Sequence, residues 1–130
     1  MNIPIEFQDL LQKKPFAHLA TVNPDNSPQV TPVWIEYDQK NNLILINTAE
    51  GRKKTRNVRL NPKVAISIID LDYPYRYLTI QGDVIEISED QAEEHIDKLT
   101  RRYLNKDKFS RPEDQVRLIL KIQPTYVHTS

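Results

Sequence analysis

The sequence predicts a mainly β fold: a six-stranded antiparallel β-barrel, closed or partly closed, with about three helices at its connections. Six strand-like segments rich in β-branched and other apolar residues recur along the 130 residues, mostly joined by short turns. Helical patterns are too few for the strand–helix alternation of a parallel sheet. Nine prolines are too many for a helical bundle. The length is about one domain's worth. No repeat, low-complexity tract or linker divides the chain, so residues 1–130 read as a single domain.

The elements follow in order. Ile3, Phe7, Leu10 and Leu11 fall on one helical stripe, with Pro4 suited to a first turn, which predicts a short amphipathic helix over 4–13. Phe16 to Val22 (FAHLATV) reads as a strand, and Asn23-Pro24-Asp25-Asn26 as a turn. Gln29 to Tyr37 (QVTPVWIEY) is a second strand, and Pro32 within it argues for an edge or a bulge. Trp34 and Ile35 exposed on such an edge would be a liability that a homodimer would cover. Leu43 to Asn47 (LILIN) is the third strand, and Glu50 to Leu60 a basic helix stopped near Asn61-Pro62. Val64 to Ile69 is the fourth strand. Arg76 to Ile87 is the fifth, long, with Gly82 as a bulge or bend. Ser88 and Gln91 suggest a capping box for a helix over 89–104, whose apolar side carries Ala92, Ile96, Leu99 and Tyr103. Residues 105–114 form a polar loop. Val116, Leu118, Leu120 and Ile122 then alternate with Arg117 and Lys121 in a sixth strand, which the tail from Pro124 extends.

Composition removes many kinds of chemistry. With no cysteine there is no disulfide framework, thiolate zinc site or cysteine nucleophile. His18, His95 and His128 stand apart without metal-ligand spacing, so no metal site is expected. Two glycines allow neither a dinucleotide fingerprint nor a P-loop, and there is no Gly-x-Ser-x-Gly elbow. No apolar run approaches the ~20 residues of a membrane span, and the N-terminus lacks the pattern of a signal peptide. A cytoplasmic protein is expected. An enzyme of this composition would rely on a cofactor for its reaction.

Charge is the informative feature. Lysine plus arginine and aspartate plus glutamate each count 18, for a formal net charge of zero. Yet Arg52, Lys53, Lys54, Arg56, Arg59 and Lys63 carry +6 between Gly51 and Lys63 without one acid, and the rest of the chain carries −6. A solvated helix normally intersperses signs. Six like charges repel and are explained by an anion among them. The start of the basic helix, near Thr48 and Gly51, is where unpaired N–H groups favour phosphate. A plain basic surface helix and nucleic-acid binding are the competing readings. The segment carries no interleaved aromatic for base stacking, which weighs against nucleic acid.

The order FAHLATV, NPDNSPQ, VTPVWIEYD, LILINTA and GRKKTRNVRLNPKVAISI resembles the flavin-binding split-barrel superfamily of pyridoxamine 5′-phosphate oxidase-like proteins. The pattern Arg52, Lys54, Thr55, Arg56, Asn57, Arg59 and Pro62 is similar to its small deazaflavin-dependent oxidoreductase branch. The resemblance is clear over residues 5–90 and looser at the last strand. It implies a Greek-key, FMN-binding type of split barrel and a homodimer with cofactor at the subunit interface.

Carried over by position, the resemblance places Arg52, Lys53, Lys54, Thr55 and Arg56 at the cofactor phosphate, with Asn47 and Thr48 at the end of the preceding strand. Gln29, Val30, Thr31, Pro32 and Val33 would lie along the ring, and Arg76 and Gln81 on a strand approaching the site. It favours the deazaflavin coenzyme (F-420), whose lactyl phosphate and glutamate tail would use extra cations such as Lys53 and Arg59, with FMN as the alternative. A true pyridoxamine phosphate oxidase carries a further basic C-terminal segment, whereas this chain ends at PTYVHTS, so that activity is not expected. The implied activity is hydride transfer between cofactor and a small unsaturated or quinone-like substrate, with no residue identified as catalytic. The alternatives are a flavin-binding carrier or redox sensor without turnover, and an anion or nucleic-acid binding module.

Overall fold

A computed structural model describes all residues 1–130. Seven strands, β1 (Ala17–Val22), β2 (Pro28–Val33), β3 (Glu36–Asp38), β4 (Leu43–Ala49), β5 (Lys63–Ile69), β6 (Tyr77–Ser88) and β7 (Arg117–Thr129), form one sheet. Their order is β2-β1-β5-β6-β7-β4-β3, and every pairing is antiparallel. The outermost strands β2 and β3 are consecutive in sequence, joined only by Trp34 and Ile35. Extended chain spans at most about 3.5 Å per residue. The sheet therefore has to curl until its edges come within about 10 Å, which makes a half-barrel with one unladdered seam.

The seventh strand corrects the expected six. The single strand read over Gln29 to Tyr37 is two, because the backbone at Ile35 leaves the ladder. Its N–H donates to the Tyr103 hydroxyl at 3.2 Å, and that hydroxyl donates to Pro15 O at 2.7 Å. Trp34 stacks on the Tyr103 ring at 5.2 Å, and Ile35 is fully buried. Neither residue is the exposed apolar liability expected of it. Pro28 and Pro32 do lie on an edge strand, where a missing donor is tolerated.

The inward positions form one core, including Leu19, Ile35, Ile44, Ile46, Ile66, Ile68, Leu78, Ile80, Leu120 and Ile122. Ile3, Leu10 and Leu11 join it from the N-terminal segment, which is a 3-10 turn (Ile5–Phe7) followed by one helical turn, α1 (Asp9–Gln12), rather than a continuous helix over 4–13. Gly82 lies at a bulge whose extra residue, Thr125, is on β7. A Cβ there would stand 2.7 Å from Gln123 O, so the close approach of β7 requires glycine.

Helix α2 (Lys53–Leu60) begins three residues later than Glu50. Buried side chains fasten it: Thr55 Oγ1 donates to Ala49 O at 2.9 Å, and Asn57 Nδ2 donates to Thr21 Oγ1 at 3.0 Å and Asn23 Oδ1 at 2.9 Å. Helix α3 (Ala92–Leu104) lies over β4 and β7. Its expected capping box is absent. Gln91 occupies the cap in the left-handed region at φ 62°, with no side-chain cap, and Ser88 Oγ turns to Asp90 O.

Candidate functional site: a cationic cleft beside the seam

A cleft of about 210 Å3 opens where β2 meets the Trp34–Ile35 connection. Pro32, Val33, Trp34 and Phe16 form one wall, and Ile96, Leu99 and Phe109 the other. The polar lining is Asn47, Thr48, Arg52, Lys54 and Arg117, without a single carboxylate.

Three cations therefore converge uncompensated. Burial and the nearby Arg52 and Arg117 charges hold the Lys54 ammonium below its ordinary pKa. Arg117, 5 % exposed, is pushed down to about 10, first by burial and then by Arg52 and Arg111, with Glu93 opposing. Arg111 shows the contrast, since it is neutralised by Glu93 at 2.5 Å and Asp97 at 3.0 Å. Helix α2 adds to the imbalance. Arg52 stands at its N-cap without a side-chain cap, and no acid occupies its first turn. Cations at the positive end of a helix dipole are unfavourable. The arrangement becomes favourable when an anion binds there.

Arg117 was missed because strict alternation assigned it to solvent. The apolar run Leu118-Ile119-Leu120 held the corrective signal, since three apolar residues in succession mean that both faces are covered. Helix α3 covers the second face, so Arg117 is buried with Ile119. Register places Arg117 opposite Ala49 and makes Asn47 its diagonal neighbour. Arg117 Nε donates to Asn47 Oδ1 at 2.8 Å, its Nη1 to Gln115 Oε1 at 3.1 Å, and its guanidinium lies 5.0 Å from the Phe109 ring centre.

Of the residues that the resemblance places at the cofactor, the structure brings Pro32, Val33, Asn47, Thr48, Arg52 and Lys54 together in this cleft. Lys53 and Arg56 are exposed on α2 without ion pairs, whereas Arg59 binds Glu50 at 2.5 Å and Lys63 faces Asp83 at 3.6 Å. Thr55 is buried and fastens α2 instead of facing the cleft. On β2, Gln29 Oε1 accepts from Thr21 at 3.2 Å, and Thr31 Oγ1 is buried without a partner. Val30 and Gln81 line a separate hollow on the outer sheet face, with His18, Ala20, Ala65 and Tyr126. Arg76 is not in the cleft. Its guanidinium lies over Phe7 and pairs with Asp9 at 2.6 Å and Asp70 at 3.1 Å, clamping the N-terminal segment.

A family model described as pyridoxamine 5′-phosphate oxidase matches residues 3–130. The chain belongs to this family. Among solved structures, an F420 reductase is 35 % identical at a TM-score of 0.85, covering 97 % of this chain and 98 % of that one. A conserved hypothetical protein from Mycobacterium tuberculosis is 20 % identical at a TM-score of 0.77, covering 99 % and 84 %. General stress protein 26 from Bacillus anthracis is 21 % identical at 0.72, covering 95 % and 90 %. The last two share the fold. Family and split-barrel fold are those that the basic motif and its flanking strands implied. No helix is long and apolar enough to cross a membrane.

Proposed function

We propose that the cleft binds the phosphate of a flavin-type cofactor, the deazaflavin coenzyme in preference to FMN. The protein would then act as an oxidoreductase on a small unsaturated or quinone-like substrate. The observation that carries this is the convergence of Arg52, Lys54 and Arg117 in a cleft without a carboxylate. The 35 % likeness to an F420 reductase supports it. Lys53 and Arg56, unpaired on the same helix, are the cations available to a longer anionic tail; Arg59 is already taken by Glu50.

When bound, such a group supplies the hydride chemistry at its ring. The chain's own part is to bind and to shield. Arg52, Lys54 and Arg117 take the phosphate charge. The Pro32–Val33 edge offers backbone groups that no ladder uses on its outer side, and the unpartnered Thr31 hydroxyl lies on the same strand. Trp34, Ile96, Leu99 and Phe109 keep water from the cleft. No carboxylate, histidine or tyrosine of the same chain lines it.

The cleft of one chain, about 210 Å3, is smaller than the ~300–1,000 Å3 of typical cofactor sites. A second copy, seated on the outer sheet face at Val30, Ala65 and Tyr126, would add the missing wall. Val30 is 62 % exposed and Tyr126 50 %. Val30 and Gln81 would then reach a cofactor across that interface.

Titration with FMN and with the deazaflavin coenzyme, followed by absorbance and fluorescence, tests the reading. The Arg52→Ala, Lys54→Ala double variant should stay folded and lose at least about 30-fold in affinity. Unchanged affinity would refute the phosphate site.

A further inference from the structure

We propose that His95 is a positioning residue, which holds the Asn47 amide and through it aims the Arg117 guanidinium into the cleft. The inference rests on the anion reading above and assigns a role to a residue outside the cleft.

Asn47 sits between partners that leave its amide one orientation. Arg117 Nε, which can only donate, faces Oδ1 at 2.8 Å, and the Ala92 carbonyl, which can only accept, faces Nδ2 at 2.9 Å. A flipped amide would lose both bonds. His95 Nδ1, 3.0 Å from the same Nδ2, must therefore accept. The ring proton then belongs on Nε2, which points to Glu36 Oε1 at 3.3 Å, off the line of a good hydrogen bond. Glu36 is in turn held by Lys98.

A buried imidazole costs more than a leucine of similar volume unless its polar atoms are used. His95 is 6 % exposed on the inner face of α3, and its Nδ1 is spent on Asn47. The consequence reaches the cleft. With Nε bound to Asn47 and Nη1 to Gln115, Arg117 keeps Nη2 without a partner in the chain. Asn47 fixes the plane of the guanidinium, and the plane fixes the direction of that free donor.

The test uses full-length protein with FMN, the deazaflavin coenzyme and inorganic phosphate as probes. His95→Leu keeps the bulk and removes the acceptor. His95→Asn keeps an amide oxygen near the place of Nδ1. The expected result is about tenfold weaker binding in His95→Leu, with most of the loss recovered in His95→Asn. In an Asn47→Leu background, His95→Leu should add no further loss. Nitrogen NMR of the wild-type imidazole should show the proton on Nε2. The proposal is overturned if His95→Leu binds as the wild type does, if His95→Asn is as weak as His95→Leu, or if the proton sits on Nδ1. If the wild type binds none of the probes, the anion reading itself falls, and with it the proposal. A tautomer with the proton on Nδ1 beside normal binding overturns only the role of His95.

Discussion

Arg117→Met separates stability from binding. In the ligand-free protein, Arg117 carries its charge while buried and faced by Arg52, which pushes its pKa down to about 10. At about 1.4 kcal/mol per pKa unit, holding that charge costs the fold about 3 kcal/mol. The folded pKa lies below the unfolded one, so the penalty is fully present at neutral pH and is relieved only as pH rises above about 10. Against it stand the hydrogen bonds to Asn47 and Gln115, worth about 1–1.5 kcal/mol each. Methionine conserves the apolar stem against Phe109 and removes penalty and bonds together. The free variant should therefore unfold within about 1 kcal/mol of the wild type in a urea titration. Its affinity for phosphate-bearing cofactor should fall by about 2–3 kcal/mol, or roughly 30- to 150-fold. A variant destabilised by more than about 3 kcal/mol with unchanged cofactor affinity would make Arg117 a structural strut and refute this reasoning.

Glu36 is held down to about 2, chiefly by the His95 imidazole 3.3 Å away, with Lys98 adding to it. Its folded pKa lies below the unfolded one, so it stabilises the protein above about pH 4.5, and that contribution is lost as pH falls toward 2. Urea titrations at several pH values should show Glu36→Gln losing about 1–3 kcal/mol at neutral pH and converging on the wild type in acid. Gly82→Ala should cost about 1–3 kcal/mol in thermal unfolding, because the added Cβ meets the β7 backbone; a neutral result would mean that the two long strands separate easily at the bulge. Tyr103→Phe removes the hydroxyl that serves Ile35 N and Pro15 O, and should cost about 1–3 kcal/mol. Amide exchange at Ile35 should rise in that variant, and an unchanged rate would show that Tyr103 does not hold the break between β2 and β3.

Local chemistry made most of the fold legible. The apolar runs of β1, β4 and β5, the turn after Val22, the bulge at Gly82 and the edge position of Pro32 follow from side-chain periodicity and backbone limits. The features that escaped depend on groups distant in sequence. The break at Ile35 is made by Tyr103, 68 residues away. The burial of Arg117 is made by α3 lying over a face that alternation gave to solvent. Arg76 looked free because its acids, Asp9 and Asp70, stand on separate segments. The cationic half of the site was legible because six like charges in one short stretch have no local compensation. Its apolar wall was hidden, Ile96 and Leu99 behind an ordinary amphipathic helix pattern and Phe109 in a loop read as polar.

The way the sheet ends has a mechanical consequence. Six of the seven boundaries around the barrel are stitched by backbone hydrogen bonds, and the boundary between β2 and β3 is bridged only by a short covalent strap. Parting the stitched boundaries breaks rungs in succession. Parting the seventh breaks none. The barrel is thus a ring with its clasp beside the cleft, and loosening that clasp disturbs side-chain contacts such as those of Tyr103 while every backbone rung stays in place.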